Sequence, residues 1–170
     1  MSRAFVKEDA GGPPVLPDLP ISPHPNYVTP SGLAELRTRL AARTADLAAL
    51  RARPDRLDLM PEAAAERDIR YLEARLASAI PVETGTHPGD EVAFGLWVEV
   101  EDEAGRKLRF RIVGEDEAAA DRGLIAPTSP LARALLGARV GDSVTWPRPA
   151  GAIALDITGI HHDRADHPPA

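Results

Sequence analysis

The chain contains no cysteine. Disulfides, thiolate metal sites and thiol nucleophiles are thereby excluded, and a reducing cytoplasm suits the composition. Aromatic residues are scarce, at 4%. Basic residues do not dominate either: the formal net charge is −6. A chain that binds nucleic acid for itself needs a basic surface to displace counterions from phosphates, so independent sequence-specific DNA binding is not expected. No apolar run approaches the roughly 20 residues of a membrane span. The first ten residues, Met1 to Ala10, lack the apolar core of a signal peptide. The 170 residues suffice for one or two small domains, each with a modest core.

What is present falls into four segments. Residues 1–28 are rich in proline and glycine, as in Gly11-Gly12-Pro13-Pro14 and Pro20-Ile21-Ser22-Pro23-His24-Pro25. Successive prolines remove backbone donors and favour extended conformations, so a largely disordered tail is expected. Residues 29–83 form the second segment. Thr29-Pro30 is suited to a helix start. Leu33, Leu36, Leu40, Leu47 and Leu50 then follow at spacings of three, four, seven and three, an a/d heptad seam with Arg43 in one seam position. Pro54 ends that pattern and Pro61 can open a second helix. There Ala65, Ile69, Leu72, Leu76 and Ala79 step by four and three until Pro81. Two such helices with a short connector are expected to pack as an antiparallel coiled-coil hairpin. The segment carries nine basic and nine acidic residues, a balance that suits an arm wetted on its outer faces.

From Glu91 the period changes to two. Val92, Phe94, Leu96, Val98 and Val100 alternate with Ala93, Gly95, Trp97, Glu99 and Glu101, which predicts a half-buried strand. Asp102-Glu103-Ala104-Gly105 is turn chemistry. Leu108, Phe110 and Ile112 alternate with Arg109 and Arg111 in a second strand. Ser129 is placed to cap a short helix begun by Pro130, whose apolar face is Leu131, Ala134 and Leu135 and whose end is Gly137. Gly141-Asp142 turns into a strand with Val144 and Trp146, and Ile153, Leu155 and Ile157 give the last one. Four strands and one helix predict a small α+β domain over residues 84–160. Residues 161–170 form a polar tail with three histidines and two aspartates, His161, His162, Asp163, Asp166 and His167. No spacing there fixes a coordination geometry, so a solvated terminus is expected.

Phe94-Gly95 with Trp97-Val98-Glu99, then Arg109-Phe110-Arg111-Ile112-Val113-Gly114, Asp116-Glu117, Ser129-Pro130 with Ala132-Arg133-Ala134-Leu135, Gly141-Asp142, and Pro149 with Gly151 resemble the C-terminal domain of the GreA and GreB factors, in order and spacing. Leu72-Glu73-Ala74-Arg75-Leu76 is similar to the end of the second Gre helix, and Val28-Thr29 with Gly32 to the start of the first. The resemblance implies an FKBP-like antiparallel sheet domain that docks on the rim of the secondary channel of RNA polymerase, and a coiled-coil arm that enters the channel. It implies no enzyme activity of its own and no resident cofactor, at most stimulation of the polymerase's RNA cleavage. The proposed contact is Ser129, Pro130, Leu131, Ala132 and Arg133. In the family the arm tip carries an Asp and a Glu three residues apart, followed by Asn. These acids help hold a second magnesium in the polymerase active centre. Here the connector reads Asp55-Arg56-Leu57-Asp58. The spacing is kept, the second acid is Asp, and Leu59 stands where the Asn would be. Asp55 and Asp58 are the candidate tip acids, with solvated turn residues as the alternative reading. The arm is shorter than the GreA arm by roughly one heptad per helix, about 10 Å at ~1.5 Å per residue.

Two other functions fit parts of the pattern. The short-armed Rnk proteins share this domain, and Gly137, Val140-Gly141-Asp142-Ser143 and Trp146 match them about as well. Such a regulator binds polymerase and does no chemistry. A peptidyl-prolyl isomerase rests on the FKBP-like fold alone, and fold does not carry function. Its proline groove would need converging aromatics, and Phe94 and Phe110 lie in the core-facing phase.

Overall fold

The computed structural model describes residues 14–55, 57–84 and 87–162. The chain divides into two compact units. One joins Pro14–Pro23 with Leu36–Ala77; the other joins His24–Glu35 with the described residues from Ser78 to His162.

In the first unit, helix α1 (Pro30–Arg51) contributes most of its length and helix α2 (Met60–Ala77) all of it. Of the leucines at heptad spacing, Leu36 and Leu47 are buried and Leu40 and Leu50 half-buried, whereas Arg37, Arg39 and Arg43 are not withdrawn from solvent. On α2, Ala65 and Leu72 are buried and Ile69 and Leu76 half-buried. Period-3.5 spacing thus puts one stripe of each helix out of water. Polar bridges cross between the helices: Arg51 Nη2 to Glu66 Oε1 at 2.6 Å and Arg43 Nη2 to Asp68 Oδ2 at 3.0 Å. Two charged residues, Glu62 and Arg75, are almost wholly buried on α2, which the heptad pattern did not foretell.

Part of the expected disordered tail is ordered. Arg70 Nε donates to Asp18 Oδ1 at 2.7 Å, and Arg70 Nη2 to the carbonyl of Leu16 at 3.0 Å. Tyr27–Val28 forms strand β1, paired in parallel with β2 (Ile80–Pro81) in the second unit. The expectation for residues 1–13 falls outside the described residues, as do Arg56, Gly85, Thr86 and the tail from Asp163.

The second unit is built on a five-stranded sheet: β3 (Trp97–Asp102), β4 (Lys107–Ile112), β5 (Leu124–Ile125), β6 (Ser143–Trp146) and β7 (Ile153–His161), in the order β5-β4-β3-β7-β6. It is mixed rather than antiparallel, because β5 runs parallel to β4. Helix α3 (Pro130–Leu135) packs Leu131, Ala132 and Leu135 onto Val98, Val100, Ile112, Leu155 and Ile157, and Phe94 and Phe110 lie against the same core. This is an α+β architecture. The strand expected from Glu91 begins only at Trp97. Before it, Gly95 adopts a positive φ of 84° and Val92 exchanges two backbone bonds with Gly137 and Ala138. Val92 and Leu96 stay buried, so the alternation reports burial without a ladder. Arg111, expected to face outward, is buried: its Nε donates to the carbonyl of Gly95 at 3.0 Å, and its guanidinium lies 5.9 Å from the Trp97 ring. The predicted turn is closed by Asp102, which accepts from the backbone of Ala104 and Arg106 and from the Arg106 side chain. These bonds hold its carboxyl below the usual value of 3.8, the Arg106 bonds most strongly.

Candidate functional site

The second unit presents the first candidate surface at the start of α3. Ser129 is the N-cap, with Oγ accepting from Ala132 N at 3.2 Å, and Pro130 occupies the first turn, where a missing donor costs nothing. Leu131 is 3% exposed and Ala132 fully buried. Both belong to the core, so the presented part of the expected contact narrows to Ser129, Pro130 and Arg133. Arg133 is exposed on the outer side of the helix. Next to it lies a cavity of about 140 Å³, lined by His24, Pro25, Asn26, Tyr27, Glu115, Pro127, Thr128 and Arg133. Of these only Arg133 was marked by its sequence. Pro127 and Thr128 adjoin the cap and could have been included; His24 to Tyr27 arrive from about a hundred residues away, and no local signal points to them.

Residues that carried the family resemblance meet at two further places in this unit. Glu117 receives the first turn of α1 at Thr29, and Gly32 and Gly114 leave the room for it: a Cβ on Gly32 would lie 2.0 Å from the Glu117 carboxyl carbon. Trp97 and Arg109 stack across neighbouring strands with the guanidinium 4.2 Å from the ring.

The second candidate surface is the connector between α1 and α2, in the first unit. Asp55 and Asp58 are both exposed. Asp58 already has a local task, since its Oδ1 accepts from Met60 N at 2.9 Å and so satisfies a free donor at the start of α2. Arg53, two residues before Asp55, turns back towards α1: its Nε donates to the carbonyl of Leu50 at 3.2 Å. Leu57, between the two acids, is 97% exposed. Among the described residues no three His, Asp or Glu side chains gather closely enough to hold a metal ion, and no helix is long and apolar enough to cross a membrane. Two exposed carboxylates are hard oxygen donors that suit magnesium, but further ligands would have to come from a partner.

The described residues thus hold a helix pair in one unit and a mixed sheet with one capped helix in the other. Residues 87–162 match the family model described as "Transcription elongation factor, GreA/GreB, C-term". The chain is 40% identical over 156 residues to the transcription elongation factor GreB of Xanthomonas axonopodis pv. citri, covering 79% of this chain and 90% of that one. It therefore belongs to the GreA/GreB family. It is also 39% identical over 102 residues to GreB of Vibrio vulnificus, covering 59% of this chain and 64% of that one. It is 41% identical over 99 residues to GreA of Methylococcus capsulatus, covering 57% of this chain and 63% of that one. The chain thus spans just under two thirds of these last two relatives. Among solved structures, the GreA factor homolog 1 protein of Thermus thermophilus aligns with a TM-score of 0.40 and 30% identity, over 81% of this chain and 99% of that one.

Proposed function

We propose that this protein is a transcription elongation factor that binds RNA polymerase at its secondary channel. In this reading the sheet unit is an FKBP-like domain that docks on the channel rim, and α1 and α2 form a coiled-coil arm that enters it. The protein works in the cytoplasm, where transcription takes place. Membership in the GreA/GreB family supports the reading. The observation that carries it is Arg133: an exposed cation in the last turn of α3, it borders the cavity lined by Tyr27, Pro127 and Thr128 and is suited to a partner of opposite charge.

The factor occupies the channel and gives weak cleavage or none. A magnesium shared with the polymerase would be reached through Asp55 and Asp58. Asp58, however, has one oxygen committed to Met60 N, and Asp is a methylene shorter than Glu. A misplacement of about 1 Å can cost on the order of 100-fold in rate. The test is a cleavage assay on a stalled, backtracked elongation complex, with a full-length Gre factor as competitor. The expected result is displacement of the competitor with little RNA shortening, unchanged when Asp55 and Asp58 are both replaced by Ala. Strong cleavage that the double variant abolishes would restore the two-metal mechanism for this chain. Absence of competition would remove the polymerase as partner.

A further inference from the structure

The proline-rich segment before α1 has an order of its own. From Pro14 to Pro23 the half-buried residues are Leu16, Leu19 and Ser22, at every third position, and all the others are exposed. Pro14, Pro17, Pro20 and Pro23 follow the same spacing on another edge. A period of three is that of polyproline II, which has three residues per turn and no internal hydrogen bonds. One edge of the extended segment therefore lies on the helices while its prolines face water. The anchors are few. Asp18 pairs with Arg70 at 2.7 Å, and Arg70 also donates to the carbonyl of Leu16. Leu19 borders a groove of about 480 Å³ walled by both helices, with Ala42 and Arg43 on α1 and Asp68, Tyr71 and Leu72 on α2.

Two quantities decide what such a strap does. Its hold is weak: the Asp18 and Arg70 side chains are 74% and 40% exposed, and exposed pairs contribute about 0–1 kcal/mol. Its position is definite. The contacts through Leu16, Asp18 and Leu19 fall between Asp68 and Leu72, which leaves Met60–Arg67 beyond them towards the connector. Eight helical residues span about 12 Å. We propose that Pro14–Pro23 is a releasable collar on the helix pair, which limits how far a partner can enclose the arm until it is displaced.

This rests on the arm entering the polymerase channel. A partner that encloses the arm beyond Asp68 must select molecules whose collar is off, so its apparent affinity falls by the fraction that is open. Full-length protein is compared with Asp18→Arg, which repels Arg70, and with Asp18→Arg/Arg70→Asp, which exchanges the charges. The measurements are affinity for RNA polymerase and, with Leu57→Cys added to each as a single crosslinking site, the yield of crosslinks to the RNA 3′ end. Asp18→Arg is expected to bind about three- to fivefold more tightly, the change that a surface ion pair can supply, and to crosslink more. The exchanged pair should return to the parent in both readouts. Equal or weaker binding by Asp18→Arg overturns the collar, and so does an exchanged pair that still behaves like the single variant. If none of the three binds polymerase, the secondary-channel reading falls and the collar with it.

Discussion

Glu117 holds Thr29 by both ends. One carboxylate oxygen accepts from Thr29 N at 3.1 Å and from Gly114 N at 3.0 Å; the other accepts from the Thr29 hydroxyl. Thr29 is fully buried, and its Oγ1 in turn accepts from Gly32 N at 3.0 Å. A residue 88 positions away along the chain thus satisfies donors at the start of α1 that no intrahelical partner can reach. Glu117→Ala leaves these donors buried without water and is expected to destabilise the protein by about 2–3 kcal/mol. Glu117→Gln, which keeps the shape but offers one acceptor, should fall between the two. Urea denaturation measures both, and a loss under about 0.5 kcal/mol for the Ala variant would contradict the assignment.

Gly114 and Gly137 separate two reasons for glycine. Gly114 has an ordinary φ of −58°, yet a Cβ there would lie 2.6 Å from the carbonyl oxygen of Tyr27. Gly137 has nothing within 4 Å, yet its φ is +79°. Gly114→Ala should cost about 1–3 kcal/mol through forced backbone movement. Gly137→Ala should cost about 1–2 kcal/mol through left-handed strain. Gly137→Asn should recover part of that loss, because Asn tolerates the left-handed region, and Gly114→Asn should recover none. Thermal melts of the four variants decide it.

Asp102 makes stability depend on acid. Its pKa is lowered in the folded protein, so its contribution is complete above the ordinary value of 3.8 and is lost as pH falls through the lower folded value. Asp102→Asn removes the charge and one acceptor of the turn. The variant should be less stable than the parent at neutral pH, and the gap should narrow below about pH 3.8. Paired denaturation curves at pH 6 and pH 3 test this; a gap that stays constant would show that Asp102 titrates alike in both states.

Arg133→Glu is expected to weaken polymerase binding about tenfold or more, the scale of an interface anchor. Folded stability should change by less than about 0.5 kcal/mol, as for an exposed position. Equal affinity of variant and parent would remove Arg133 from the contact.

The heptad seam, the α3 cap and the turn at Asp102 were legible because each is written in a few neighbouring residues. Leu36, Leu47 and Leu72 are buried where their spacing put them, and Ser129 caps as its neighbours Pro130 and Ala132 require. What was not legible depends on distant partners. β1, β2 and β5 are two residues long and exist because Ile80, Tyr27 and Arg111 stand opposite. Arg111 reads as an outward residue by alternation, and the Gly95 carbonyl 16 positions back draws it in. The order of Pro14–Pro23 comes from Arg70, 52 residues beyond Asp18, and no feature of a proline-rich stretch announces it. Of the candidate contact, Ser129, Pro130 and Arg133 could be read as surface. The burial of Leu131 and Ala132 follows from a helix that lies flat on the sheet.

The order of the sheet also sets a schedule. β7 pairs with β3 on one side through Trp97 to Asp102 and with β6 on the other through Ser143 to Trp146. A chain that leaves the ribosome from its N-terminus releases β3, β4 and β5, then α3 and β6, before the strand that joins them. Until Ile153–His161 emerges, the inner edge of β3 has no neighbour, Val98 and Val100 lack the wall made by Leu155 and Ile157, and β6 has nothing to pair with. The sheet is therefore closed by β7, the last strand made, which slots between β3 and β6, and a nascent chain stalled before Ile153 carries an open strand edge beside an unfinished core.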